Sequence, residues 1–225
     1  MSYRVRVPQF RVLTAIASAL VLPSCSMGPD FVAKDEPWRR QVEIACLSSG
    51  VVRESPLVQG RSALGGPSFC GAERPFQMAA ANGRVAMDPP ATLRCPMVPQ
   101  VDRWMANIVE PAASRHFGVP VREIKVAASY ACRPMNHVGG GRLSEHGYAN
   151  ALDVSAFILA DSRVITIKGG WNGTPQERAF LREVRARSCE EFTTVLGPGA
   201  DAYHGDHFHL DLARHGRDGQ GRICK

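Results

Sequence analysis

The chain has 225 residues, 44% hydrophobic and 21% charged, with a formal charge of +6. That is a globular composition, with room for one good-sized domain and a small appendage. Three of its 27 basic residues, Arg4, Arg6 and Arg11, lie in the acid-free first 25 positions, leaving 24 basic against 21 acidic residues. No basic run is interleaved with aromatics, which argues against a nucleic-acid partner. The mild positive balance is compatible with an anionic polymer such as a cell wall.

Residues 1–25 read as a targeting signal. The three arginines precede an apolar run from Val12 to Leu22, too short for a stable transmembrane helix. Leu22-Pro23-Ser24-Cys25 is similar to a bacterial lipoprotein signal, with Pro23 atypical. Export to the periplasm or cell envelope is expected, with a lipid on Cys25 or ordinary cleavage nearby as the two routes. Residues 26–45 carry Gly28, Pro29 and Pro37 and read as a tether.

Setting Cys25 aside leaves Cys46, Cys70, Cys95, Cys132, Cys189 and Cys224. An even set in an exported chain implies three disulfides, with 15 connectivities open. Pairing in sequence order is the expectation: Cys46 with Cys70, Cys95 with Cys132, Cys189 with Cys224. Residues 46–95 are rich in Pro and Gly, with short extended pieces such as 83–87, and read as a disulfide-tied N-terminal subdomain.

Residues 96–225 read as the main domain. Val101, Trp104, Met105, Ile108, Val109 and Ala112 recur at helical spacing over Pro96–Phe117, where Pro111 is expected to kink or split the helix. Strands are predicted at Ile124–Tyr130, Ala149–Phe157, Val164–Lys168, Phe192–Leu196 and His207–Leu212. A helix is predicted over Pro175–Ser188, with Thr174 as N-cap and Glu177 three residues on. The pattern predicts an α+β domain with a mostly antiparallel sheet, flanking helices and a monomeric state.

Two stretches carry chemistry. In the last strand His207, His209 and Asp211 fall on one side and Phe208, Leu210 and Leu212 on the other. Upstream, His146 is followed seven residues later by Asp153, an acid within a strand pattern. His146, Asp153 and His209 would supply two imidazoles and a carboxylate, the three-ligand set of a catalytic zinc site with an open fourth position.

The stretches Ser129-Tyr-Ala-Cys-Arg133, Ser144-Glu-His146, Asp153-Val-Ser-Ala-Phe157, Cys189-Glu-Glu-Phe192 and His204–Leu212 carry a resemblance. The chain resembles the bacterial extensin-like C-terminal domain family. More distantly it is similar to the LAS group of zinc peptidases: D-Ala-D-Ala carboxypeptidases, lysostaphin-type endopeptidases and the hedgehog zinc domain. One departure is Ala149 at a position where that group often has glycine. The resemblance implies an LAS/hedgehog-type core, Zn2+ held by His146, Asp153 and His209, and hydrolysis of peptidoglycan stem or crosslink peptides. It implies Asp206 or His207 as general base, and Arg133 on a substrate carboxylate or carbonyl. The hedgehog example keeps open a zinc-containing cell-wall binding module without turnover.

Overall fold

The computed structural model describes residues 1–3 and 29–225. The targeting segment and Cys25 lie outside these, apart from its first three residues. Among the described residues no helix is long and apolar enough to cross a membrane.

Helix α1 (Pro37–Ser49) comes first, then strands β1 (Val58–Gly60), β2 (Leu64–Gly65), β3 (Gly71–Ala72), β4 (Phe76–Ala81) and β5 (Val85–Leu93). Helices α2 (Met97–Trp104) and α3 (Glu110–Phe117) follow, then β6 (Val121–Ala128), β7 (Ala151–Leu159) and β8 (Val164–Thr166). The chain ends with α4 (Ile167–Gly170), α5 (Pro175–Ser188), β9 (Thr194–Leu196), β10 (Phe208–Asp211) and β11 (Ile223–Cys224). Nine strands form one sheet in the order β1-β4-β5-β6-β7-β10-β9-β11, with β8 also on β7. The β5–β6 and β9–β11 pairs are parallel and the others antiparallel, so the expected α+β class with a mostly antiparallel sheet is what forms.

One apolar core joins the sheet to the helices. Trp104, Phe157, Phe180, Phe192 and Phe208 are fully buried in it, with T-shaped contacts such as Phe157–Phe180 at 5.2 Å. Trp104 Nε1 donates to Ser188 Oγ at 2.8 Å, satisfying the indole inside that core. The helical run 97–117 is continuous, but Met105–Val109 widens into a π-turn just before Pro111, which opens α3. Pro111 lacks an N–H, and the wider turn accommodates that loss without splitting the helix. Thr174 and Glu177 form the predicted capping box of α5.

Several expectations change. The segment 26–45 is not a free tether throughout, because α1 begins at Pro37 and is tied down by charge. Arg94 donates to Glu43 at 2.7 Å, and both side chains are buried. Residues 46–95, expected as a separate unit, supply β1, β4 and β5 to the main sheet. Pro89 and Pro90 lie inside β5 at exposed positions that pair with neither neighbouring strand, where a missing N–H is tolerated. Val164–Lys168 is strand only to Thr166, whose hydroxyl then accepts from Gly169 N and starts α4.

The disulfides are Cys46–Cys95, Cys70–Cys132 and Cys189–Cys224. The third pair is as expected and the first two are corrected. Packing of α1 on Arg94 brings Cys46 to Cys95, leaving Cys70 to meet Cys132 beside the turn that carries His146.

Candidate metal centre

The site forms where β7 and β10 lie side by side. Their register pairs His209 with Asp153, and in an antiparallel pair directly opposed side chains share a face. His146 arrives from a short 3-10 turn, Glu145–Tyr148, just before β7. Ser144 Oγ accepts from His146 N to start this turn, and Ala149 closes it with φ of 51°. Ala149 therefore adopts the left-handed conformation itself, without a glycine. Gly147 is needed for space, because a Cβ there would come within 2.5 Å of Leu143.

His146, Asp153 and His209 are all buried, with their ligand atoms within 4.8 Å of one another. His146 Nε2 lies 3.2 Å from His209 Nδ1 and 3.0 Å from Asp153 Oδ2, and His209 Nδ1 lies 2.8 Å from Asp153 Oδ1. Four donors about 2.0 Å from a zinc ion at tetrahedral angles are separated by about 3.3 Å. The three protein donors nearly match that spacing, which leaves one corner for a fourth.

The outer ring nitrogens fix the tautomers. His146 Nδ1 is 2.5 Å from the Ser129 carbonyl, which can only accept, so His146 carries its proton there. His209 Nε2 donates to Asp211 Oδ2 at 2.9 Å. The inner nitrogens are thus left with lone pairs facing each other and a carboxylate, which is the donor chemistry of a cation site. Burial opposes charge on both Asp153 and His209. Even so, the facing rings of His146 and His209 hold Asp153 well below the usual carboxylate range. Asp153 and Asp211 together push His209 up to about 10. Without a metal, a proton on His209 takes the positive place between the two carboxylates.

The candidate catalytic residues fall at different distances. His207 Nε2 is 3.7 Å from Asp153 Oδ2, on the ligand face. Asp206 stands behind it, its carboxylate 2.9 Å from His207 Nδ1 and its side chain 62% exposed. The hydrogen bond with His207 is the chief cause of a lowered Asp206 pKa, helped by the field of Lys168. Arg133 lies on the segment after β6, with its carbonyl accepting from Ser144 N. Among the described residues its guanidinium bonds only to the Pro134 carbonyl, at 3.3 Å.

Three supporting residues were not read from the sequence in these roles. Asp211 was on the histidine face by alternation, and that was the only signal for it. Ser129 acts through its backbone, which leaves no mark on residue type. Arg39 donates twice to Glu145, at 2.6 and 2.7 Å, and its Cζ stacks 4.0 Å from the Tyr148 ring centroid. It grips the His146 turn from α1. His204 is also buried here, its ring 5.2 Å from that of His207 and its Nδ1 2.7 Å from Asp201. A cavity of about 570 Å³ lies elsewhere, between α1, the β2–β3 hairpin and Tyr148. Its charged walls pair among themselves, as Arg39–Glu36, Arg40–Glu73 and Arg94–Glu43. The chemistry therefore points to the metal centre.

The family described as Extensin-like protein C-terminus matches residues 45–225. The chain belongs to that family. The matched span contains every residue of the metal centre and all three disulfides, whereas most of α1, with Arg39 and Glu43, precedes it. No curated protein and no solved structure matches this extensin-like chain.

Proposed function

We propose that this protein is a zinc-dependent peptidase of the cell envelope that hydrolyses stem or crosslink peptides of peptidoglycan. The observation that carries the reading is the buried His146–Asp153–His209 set, two imidazoles and one carboxylate whose ligand atoms lie within 4.8 Å of one another. Structural zinc sites close with four protein ligands, whereas catalytic ones keep a position open. The resemblance to LAS-type peptidases supports the substrate class, and three disulfides support an oxidising compartment.

A zinc ion held by these residues would supply Lewis acidity toward a carbonyl and acidify water. The chain's own groups do the rest. His207 Nε2 faces the ligand set with its Nδ1 side held by Asp206, so it is placed to accept a proton from attacking water and return it to the leaving amine. Asp206 sets the tautomer and orientation of that ring. In this arrangement His207 is the base and Asp206 its positioner. His146 and His209 are kept in position by Ser129 and Asp211.

The same two-histidine, one-carboxylate set also suits ferrous iron. Metal analysis of the purified protein is therefore the first test, followed by muropeptide profiles of digested sacculi. Zinc at one ion per chain, with release of new muropeptides that His209→Ala abolishes, is the expected result. An unchanged profile with fully zinc-loaded wild type rules the hydrolysis out and favours a binding module.

A further inference from the structure

The second disulfide reaches the metal centre from outside the main sheet. Strands β2 and β3 pair with each other, Leu64 opposite Ala72 and Gly65 opposite Gly71, in a hairpin apart from the nine-stranded sheet. Cys70 ends the loop of that hairpin and is bonded to Cys132, 62 residues on. There the bond meets the turn that carries His146. Cys70 packs with Leu143 and Tyr148, which flank the ligand in sequence. A Cβ on Gly147 would lie 3.4 Å from Cys70 Sγ, so this sulfur rests against the residue next to His146.

The Cys132 end is as close. Three residues before it, the Ser129 carbonyl lies 2.5 Å from His146 Nδ1. One residue before it, Ala131 N donates to the His146 carbonyl at 3.1 Å. One short segment thus grips His146 by its ring and by its backbone, and the disulfide ties that segment to the hairpin on the far side of the turn. Cys46, Cys95 and Cys189, of the other two bridges, belong to the main apolar core instead. Cys70 is 7% exposed and Cys132 is half-buried, so Cys132 offers the more open sulfur. The hairpin loop above is exposed from Gly65 to Phe69. Within it Gly66 has no side chain where a Cβ would stand 3.6 Å from Cys132 Sγ.

We propose that the Cys70–Cys132 disulfide is a redox latch on the metal centre. Closed, it keeps the Ser129 carbonyl and the His146 turn in place for the ion; opened by a dithiol donor such as a Cys-x-x-Cys oxidoreductase, it releases them. The proposal rests on the metal-centre reading above and adds a mode of control to it. A thiolate of the donor attacks Cys132 Sγ, and the electron pair of the broken S–S bond leaves on Cys70. The donor's second thiolate then attacks its own sulfur in the mixed disulfide, and Cys132 leaves. The donor ends as a disulfide, and its two protons end on Cys70 and Cys132. Disturbing a group that orients a ligating histidine usually lowers metal affinity about 10- to 100-fold, which is the change expected on opening.

The test uses the full chain. Cys70→Ser with Cys132→Ser represents the opened latch, and Cys189→Ser with Cys224→Ser controls for the loss of a disulfide elsewhere. Zinc affinity, measured by competition with a chromophoric chelator, is expected to fall in the first variant and to hold in the second. Unchanged affinity in the first, or an equal fall in both, overturns the latch. Hydrogen exchange of the metal-free proteins gives a second readout. Faster exchange confined to residues 129–149 and the hairpin supports the latch; faster exchange throughout the main sheet means that the bond only stabilises the fold, and overturns it. Treatment of zinc-loaded wild type with a reduced Cys-x-x-Cys oxidoreductase, followed by alkylation and mass analysis, should show Cys70 and Cys132 opening in step with zinc release. Zinc retained after both are alkylated overturns the proposal. Wild type that takes up no zinc sinks the metal reading, and the exchange pattern then decides by itself whether the bond holds the His146 turn.

Discussion

Asp211 receives the outer N–H of His209 at 2.9 Å and also accepts from Ala213 N, so one buried carboxylate both aims the metal-facing imidazole and shapes the end of β10. Removing such an outer partner usually lowers metal affinity about 10- to 100-fold. Asp211→Asn is expected to do so while the far-ultraviolet spectrum stays unchanged. A competition titration with a chromophoric chelator measures the loss; an unaltered affinity contradicts the role given to Asp211.

His207 and Asp206 are expected to separate kinetically. His207→Ala should lower kcat on muropeptides by about 10²- to 10⁴-fold, the range for a lost general base. Asp206→Asn keeps the imidazole and should cost much less, mainly moving the acidic limb of the pH profile. The reverse ranking, in steady-state rates with zinc content matched, would make Asp206 the base.

The metal-free protein should lose stability as pH rises. His209 titrates in the fold at about 10 against an ordinary 6.5. A group with a raised folded pKa gives its full stabilisation below 6.5, and that stabilisation disappears as pH climbs through the window up to about 10. Melting temperatures of the chelator-treated protein should fall across that window. Those of the metal-loaded protein, in which His209 no longer carries the proton, should not. Parallel curves for the two forms refute the assignment.

Glu43→Ala leaves Arg94 buried and charged without its carboxylate. Breaking a buried pair from one side typically costs about 3–5 kcal/mol. Urea unfolding of the variant should show that loss, and removal of residues 37–49 should prevent folding. A stable truncated protein would mean that α1 is dispensable after all.

Much of the site was legible because strand alternation is a local property. The spacing from His146 to Asp153 and the face shared by His207, His209 and Asp211 survive unchanged in β7 and β10. The α5 helix was legible for the same reason, since Thr174 and Glu177 are three residues apart. What could not be read depended on distant partners. α1 is fixed by Glu145 and Arg94, which lie 106 and 51 residues from Arg39 and Glu43. The first two disulfides follow from that docking, so an order-based pairing had no access to them. The division proposed between His207 and Asp206 rests on the Asp206 carboxylate lying behind the His207 ring, and residue type does not encode that.

The two buried aspartates also set the charge the centre can accept. Asp153 and Asp211 contribute two negative charges at 4% and 3% exposure, and the two imidazoles, once their inner nitrogens are free, contribute none. A divalent ion brings this interior to neutrality. A monovalent ion leaves it negative and a trivalent one leaves it positive, in a place where uncompensated charge costs several kcal/mol. Valence is thus selected by electroneutrality before coordination geometry chooses among the divalent metals.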